Sequence, residues 1–409
     1  MSGESGSGKT EATKLMMAHL ASIAGGGSGS TDGGGDDESG GGRTIERVLQ
    51  SNPLLESFGN AQTVRNDNSS RFGRFTQLQF RRRSSSTKGE ALVGSECVTY
   101  LLEKSRVVHH SIGERTYHIF YQLLAAPEAD KARVGLGGKA VGSFRYLACD
   151  HGGSETTVIE GRSDAARYVA TRRALGLVGV EEEGQWQVLT TLAAILYLGE
   201  VDFVSEEGAS GDEEARVRDP AALAEAAGLL GCDPQALGKA LCARTVRTRS
   251  EEYSVPMTPG QAVDAREALS KEVYARLFAW LVARINGSTA VDVSAAGVAA
   301  EGDGAAVRTI GLLDIFGFES FAVNRFEQLC INYCNGACVH LRVEVVPFFP
   351  STYPPPPHTH NTQSGSSSAS PRTCSSPCSS STRRRGSRGP SSPSRTTPPC
   401  WSSSRAGWA

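Results

Sequence analysis

The clearest chemistry near the N-terminus lies in Gly3, Glu4, Ser5, Gly6, Ser7, Gly8, Lys9 and Thr10. Together they satisfy G-x-x-x-x-G-K-[ST], and an apolar helical pattern follows at once. The residue types suit a phosphate loop, because glycines let successive backbone N–H groups wrap phosphate oxygens and a helix N-terminus adds a favourable dipole. Lys9 would neutralise the β- and γ-phosphates, and the Thr10 hydroxyl would ligate Mg²⁺. A loop of this kind normally follows a buried strand, whereas only Met1 and Ser2 precede it here.

Two further segments contribute chemistry only in that company. Asn66-Asp67-Asn68-Ser69-Ser70-Arg71 is by itself ordinary turn material. Beside a phosphate loop, its adjacent hydroxyls and its arginine suit a nucleotide-sensing loop, with one hydroxyl for Mg²⁺ and another near the attacked phosphate. Asp314-Ile315-Phe316-Gly317-Phe318-Glu319 places an acid at the end of an apolar run. Enzymes with phosphate loops keep a Mg²⁺ carboxylate at such a point, held directly or through water, and Gly317 permits close backbone approach to a γ-phosphate. Taken alone, the segment is equally a glycine turn between a strand and a helix. Cys330, Cys334 and Cys338 recur every four residues, a spacing that suits small thiols on a core face better than a zinc site. His109, His110, His358 and His360 lack a partner cluster and are assigned no role.

These segments need a scaffold, and the periodicities supply one. Ala12, Leu15, Met16, Leu20 and Ile23 predict a helix over Thr10 to Ala24. Gly25 to Gly42 is almost entirely Gly, Ser, Asp and Glu, which predicts a flexible insert. A helical pattern resumes at Arg43 and should stop near Asn52-Pro53. Phe75 to Phe80 and Leu92 to Leu102 read as a β-hairpin around a basic Ser-rich turn. Tyr117 to Leu124 and Gln185 to Leu198 read as core helices, the second burying Trp186, Leu189, Leu192, Ala193 and Leu196. Thr258-Pro259 marks the start of a helix reaching about Asn286-Gly287, roughly 40 Å long. Val307 to Ile315 suits a buried parallel strand, followed by a helix from about Asn324. After Val346 the composition turns to Pro, Ser and Arg, predicting a disordered tail over 347–409.

The chain has 409 residues, 39% of them hydrophobic, ample for a buried core. Its net charge of -2 combines an acidic region 1–346 with a tail holding seven Arg and no Lys, Asp or Glu. An acidic domain argues against nucleic acid as a partner. The ten Cys lack paired spacing, no apolar run is long enough for a membrane span, and no secretory leader is evident, so a cytoplasmic setting is expected.

Taken together, GESGSGKTEATK, NPLLESFGNAQTVRNDNSSRFGRF from Asn52 to Phe75, and LLDIFGFESF with NRFEQLCINYCN from Leu312 to Asn335 closely resemble the myosin motor domain. YLLEKSRVV, ERTYHIFYQLL and AREALSKEVYARLFAWLVARIN support the same resemblance in the same order, over residues 2 to about 335. It implies an α/β fold of the P-loop NTPase kind: a partial motor head over 1–346, with an incomplete central sheet flanked by helices. It also implies Mg²⁺-dependent ATP hydrolysis coupled to movement on actin filaments of the cytoskeleton.

Asn66 to Arg71 would then be switch I, with Ser70 a Mg²⁺ ligand, Ser69 a proton relay for the attacking water, and Asn66 a phosphate-side contact. Asp314 to Glu319 would be switch II, with Asp314 supporting Mg²⁺ from behind, the Gly317 amide on the γ-phosphate, and Glu319 paired with Arg71 to close the site. In the surface loop Arg244 to Pro256, Glu251 is either an actin-facing carboxylate, at a position the family keeps acidic or phosphorylatable, or a solvated surface acid. The family's purine-contacting segment, relay helix, converter and light-chain-binding lever have no counterpart here, so light chains are not expected as partners. Two other functions stay open: a non-motor remnant that binds nucleotide weakly, and a different P-loop phosphotransferase.

Overall fold

The computed structural model describes residues 7–25, 40–82, 90–148, 157–207, 213–247, 252–291, 307–315, 317–318, 326, 329–333 and 336. Gly3 to Gly6, Glu251, Glu319, Cys334, Cys338, most of the glycine-rich insert and the Pro/Ser/Arg-rich tail lie outside them.

Helix α1 (Lys9–Gly25) starts where Gly8 takes φ +78°, a left-handed conformation that glycine adopts without strain. Its inward face differs from the expected one. Thr13, Met17 and Ala21 are buried at 1% exposure, whereas Leu15, Met16 and Ile23 are exposed. Helix α2 (Gly40–Gly59) runs straight through Pro53, where the sequence suggested a stop. An internal proline costs about 3 kcal/mol. Leu54, Leu55 and Phe58, all at 0–1% exposure, each contribute about 1.5–3 kcal/mol by burial and outweigh it.

Strands β1 (Asn60–Thr63) and β2 (Asn66–Ser70) pair antiparallel, so the Asn/Ser-rich stretch read as a loop is largely a strand. The Thr63 hydroxyl closes their turn, accepting from Asn66 N and donating to Asn66 O at 3.2 Å each. Strands β3 (Gly73–Arg82) and β4 (Glu90–Tyr100) form the expected hairpin.

Helices α3 (His118–Leu124), α4 (Glu128–Arg133) and α5 (Arg145–Ala148) follow, then the short strands β5 (Val158–Ile159) and β6 (Arg162–Ser163). Helix α6 (Asp164–Leu177) leads to α7 (Glu182–Glu200), in which Trp186, Leu189, Leu192, Ala193 and Leu196 are buried as the periodicity predicts. A peripheral unit comprises β7 (Phe203–Glu207), β8 (Glu213–Val217), α8 (Pro220–Leu230) and α9 (Pro234–Cys242). The antiparallel pair β9 (Ala243–Arg247) and β10 (Glu252–Pro256) comes next.

Helix α10 (Pro259–Thr289) begins with Pro259 in its first turn, and the Thr258 and Gln261 side chains each accept from the other's backbone N–H. Strand β11 (Arg308–Asp314) completes the sheet in the order β11-β3-β4. Its partner among the described residues is β3, and the pairing is antiparallel, with Asp314 opposite Arg74. The expected buried parallel strand is thus corrected on orientation. It is corrected on burial too, since residues 308–311 are exposed and only Leu312 and Asp314 are buried.

The main core is helical. Leu54 and Phe58 of α2, Phe120 of α3, Leu192 of α7, and Tyr274 and Phe278 of α10 belong to one cluster. In it Tyr274 stacks on Tyr117 at 4.8 Å, and its hydroxyl donates to Phe58 O at 2.6 Å. A smaller core joins Met17 and Ala21 of α1 to Leu78, Phe80, Leu92 and Leu312 of the sheet. The end of α10 lies on the outer edge of β4. There the Asn286 amide donates to Cys97 O and accepts from Cys97 N, both at 2.8 Å, and the Thr289 hydroxyl donates to Ser95 O at 2.9 Å.

Candidate nucleotide site

Among the described residues other than its chain neighbours, no atom lies within 4 Å of the place where a side chain on Gly8 would begin, and Ser7 and Gly8 are exposed. The first helical bond runs from Ala12 N to Gly8 O at 2.9 Å, and the Thr13 hydroxyl donates to Lys9 O at 3.0 Å. Lys9 Nζ donates to Ser7 Oγ at 3.4 Å, so the cation lies over its own loop. Lys9 and Thr10 are half-buried. An accessible left-handed glycine, a helix start and an ammonium at one place fit a polyphosphate.

Residues 69–74 are held quite differently. Ser69, Arg71 and Arg74 are 3%, 1% and 5% exposed. The Arg71 guanidinium donates through Nε to Glu103 Oε2 at 2.5 Å and through Nη1 to Ser69 Oγ at 3.1 Å. The main chain reinforces this, with Arg71 N donating to Gly59 O at 2.8 Å and Glu103 N donating to Arg71 O at 3.0 Å. Ser70 Oγ donates its hydrogen to Phe72 O at 2.8 Å. That leaves its lone pairs to bind a cation, as a Mg²⁺ ligand requires. Asn66 Oδ1 accepts from Asn68 N at 3.0 Å, which fixes its amide at the start of β2.

Asp314 is buried beside Arg74, its Oδ2 lying 3.6 Å from Arg74 Nη2. Gly317 is buried three residues further on, while Phe318 is exposed.

Two residues one turn apart on α2, which sequence reasoning missed, tie these segments together. Asn52 accepts from Arg74 Nη1 through Oδ1, and its Nδ2 lies 3.8 Å from Met17 Sδ of α1. Glu56 binds Lys14 Nζ of α1 at 2.8 Å and accepts from Asn68 Nδ2 of β2 at 3.4 Å. Burial lowers the Lys14 pKa, but Glu56 and Glu11 outweigh it and raise the pKa overall, so the cation stays charged.

Asn68 is a wider node. It donates to Glu160 Oε1 at 3.0 Å, and its Oδ1 accepts from Asn60 Nδ2 at 3.0 Å and lies 3.1 Å from His118 Nε2. Burial, with Arg115 and Arg167 nearby, pushes the His118 pKa well below its ordinary value, so the ring is neutral. Glu160 adopts φ +49° at the tip of the β5–β6 turn. Its carboxylate also receives Arg167 Nη2 at 3.0 Å. The i, i+4 spacing of Asn52 and Glu56 was the one sequence signal for this framework.

Glu103 anchors a second buried ionic group. Arg106 Nε donates to its Oε2 at 3.0 Å, and Arg106 Nη1 donates to Glu114 Oε2 at 3.0 Å. Burial alone would raise the Glu103 pKa, but Arg106 and Arg71 overcome it and hold the carboxyl at about 2.

Exposed Ser7 and Gly8 at the start of a helix, which packs through one small core onto a sheet whose strand ends in a buried aspartate, fit a P-loop NTPase fold. The chain belongs to the myosin head (motor domain) family, whose profile matches residues 1–341. It is 42% identical over 336 residues to Myosin-7 of Arabidopsis thaliana, covering 82% of this chain and 18% of that protein. It is 38% identical over 345 residues to Unconventional myosin-Ib of Homo sapiens, covering 84% of this chain and 28% of that protein. Unconventional myosin-Ia of Gallus gallus is 41% identical over 335 residues, with shares of 82% and 29%. The chain therefore spans less than a third of the length of these relatives. Among the described residues, no helix is long and apolar enough to cross a membrane.

Proposed function

We propose that this chain forms the Mg·ATP-binding part of a cytoskeletal motor, in which ATP hydrolysis drives movement along actin filaments. The observation that carries the reading is the link between α1 and residues 66–74 through Asn52 and Glu56: a phosphate loop and an arginine-bearing segment built on one framework. Gly3 to Thr10 cradle the phosphates, with Lys9 neutralising their charge. Thr10 and Ser70 offer hydroxyl oxygens to Mg²⁺, and Asp314 supports the ion from behind. Bound Mg²⁺ supplies positive charge to the phosphate oxygens.

Asn66 contacts the phosphate side, and the Gly317 amide donates to the γ-phosphate. Ser69 takes up the proton of the attacking water, and Arg71 with Glu319 closes the site against bulk solvent. Switch I is then 66–71 and switch II 314–319, within a head spanning 1–346 whose insert is 25–42, and 347–409 form a separate tail. Glu251 faces actin.

The test is steady-state Mg²⁺-ATPase of the purified chain with and without actin filaments. Turnover raised by actin and abolished by Arg71→Ala or Glu319→Ala is the expected result. Undiminished turnover in either variant removes the gate assignment. Nucleotide binding without turnover makes the chain a non-motor binder, and phosphoryl transfer to a small acceptor makes it a different phosphotransferase.

A further inference from the structure

The carboxylate of Glu103, its side chain 11% exposed, has no part in the scheme above, yet it is joined to Arg71 both through side chains and through the main chain. Arg71 Nε donates to Glu103 Oε2 at 2.5 Å, and Glu103 N donates to Arg71 O at 3.0 Å. The carboxylate is itself immobilised. Arg106 donates to Oε2 at 3.0 Å and to Oε1 at 3.4 Å, and Arg106 in turn binds Glu114 at 3.0 Å and Arg115 O at 3.2 Å. The Tyr117 hydroxyl donates to Glu103 O at 2.8 Å, fixing the backbone from which the side chain projects.

A planar guanidinium pinned at Nε can turn only within narrow limits, so its Nη1 stays on Ser69 Oγ at 3.1 Å. A serine hydroxyl has one hydrogen and two lone pairs. With one lone pair taken by Arg71, a single lone pair remains for a water proton, and the hydroxyl hydrogen must point elsewhere.

We propose that Glu103 is a positioning residue for hydrolysis: it anchors Arg71 so that Arg71 orients the Ser69 hydroxyl toward the attacking water. The proposal rests on the role given to Ser69 above. The logic is that of a nucleophile–base pair oriented by a third group. In the step itself, the water O–H bond breaks as its oxygen bonds to the γ-phosphorus, and the bond from that phosphorus to the β–γ bridging oxygen breaks, its electron pair leaving on ADP. The proton passes to the free lone pair of Ser69, and the hydrogen of Ser69 passes to a phosphate oxygen, so the serine ends unchanged. A buried ion pair of this kind contributes little net stability against an apolar substitute, so its value lies in geometry.

The experiment compares the full chain with Glu103→Gln, which keeps the shape and removes the charge. Three quantities are measured: binding of a non-hydrolysable ATP analogue with Mg²⁺, the single-turnover hydrolysis rate, and hydrogen exchange of the Arg71 Nε–H by ¹⁵N NMR without nucleotide. Arg71→Lys identifies the resonance. Hydrolysis should slow by about tenfold or more, analogue binding should change by less than about threefold, a split between chemistry and affinity, and the Nε–H should exchange faster. Unchanged hydrolysis or unchanged exchange overturns the proposal.

Should wild type fail to bind the analogue, the nucleotide reading falls by itself, and the exchange measurement still decides whether Glu103 anchors Arg71. Should Glu103→Gln fail to fold, Arg71→Lys takes its place, since an ammonium can hold Glu103 but cannot span to Ser69 as well. Full hydrolysis in that variant overturns the proposal.

Discussion

Ser7 to Thr10 and Ser69 to Arg74 would meet the same triphosphate, but they are held in place by different means. Among the described residues, the contacts of the first include the local Ala12 N to Gly8 O bond and the reach of Lys9 to Ser7. The second is held by distant side chains, Asn52 on Arg74 and Glu103 on Arg71, and it carries buried charge. One segment can adapt to its ligand at little cost to the fold. The other is organised in advance, and its organisation is inseparable from the stability of the domain.

If that contrast holds, thermodynamic damage should be graded along it. Arg71→Ala strands Glu103 without one of its cations and should cost about 3–5 kcal/mol, read by urea unfolding; a loss below about 1 kcal/mol would mean the segment is not structurally committed.

Acid should cut into the same region. The Glu103 carboxyl has a folded pKa of about 2, depressed from 4.5, so its contribution is complete above 4.5 and is lost as pH falls toward 2. That shift corresponds to about 3 kcal/mol. His118 acts at a higher pH, since its folded pKa lies well below 6.5 and the unfolded imidazole takes a proton that the native one refuses. Stability should therefore begin to fall below pH 6.5 and fall further below 4.5; His110, depressed by burial too, shares the first phase, and its reduction in His118→Gln assigns the His118 part.

Gly59→Ala would drive a methyl into the Phe72 ring, which stands edge-on to Phe278 at 5.1 Å, and should cost about 1–3 kcal/mol in the same assay. At the other end of the scale, Lys9→Ala should move stability by no more than about 0.5 kcal/mol. It should nonetheless weaken ATP-analogue binding about 100-fold by titration. A large stability loss there would erase the contrast.

Elements written in local signals were legible in the sequence. Gly8-Lys9-Thr10 announced a helix start, Thr258-Pro259 an N-cap, and the face of α7 its own burial. What the sequence hid was decided by tertiary neighbours. Both Leu15 and Met17 fit a helical stripe, and only the position of the sheet selects Met17 for the interior. Pro53 marks a helix end in local terms, but three adjoining buried side chains carry α2 past it. An apolar strand such as β11 looks the same from either direction, so its antiparallel pairing could not be read.

At the candidate site, the residues offered to the ligand were legible as types. Those that aim them, Asn52, Glu56, Asn68 and Glu103, were not, because their partners are brought close only by folding.

The Asn286 amide on the edge of β4 bears on how copies of the protein behave toward one another. A strand edge with unpaired N–H and C=O groups is a template on which a second molecule can add a strand. At Cys97 those groups are already taken by a side chain that imitates a neighbouring strand for a single residue and offers nothing to extend. The last turn of α10, with the Thr289 hydroxyl on Ser95 O beside it, thereby closes this stretch of the edge to an incoming strand.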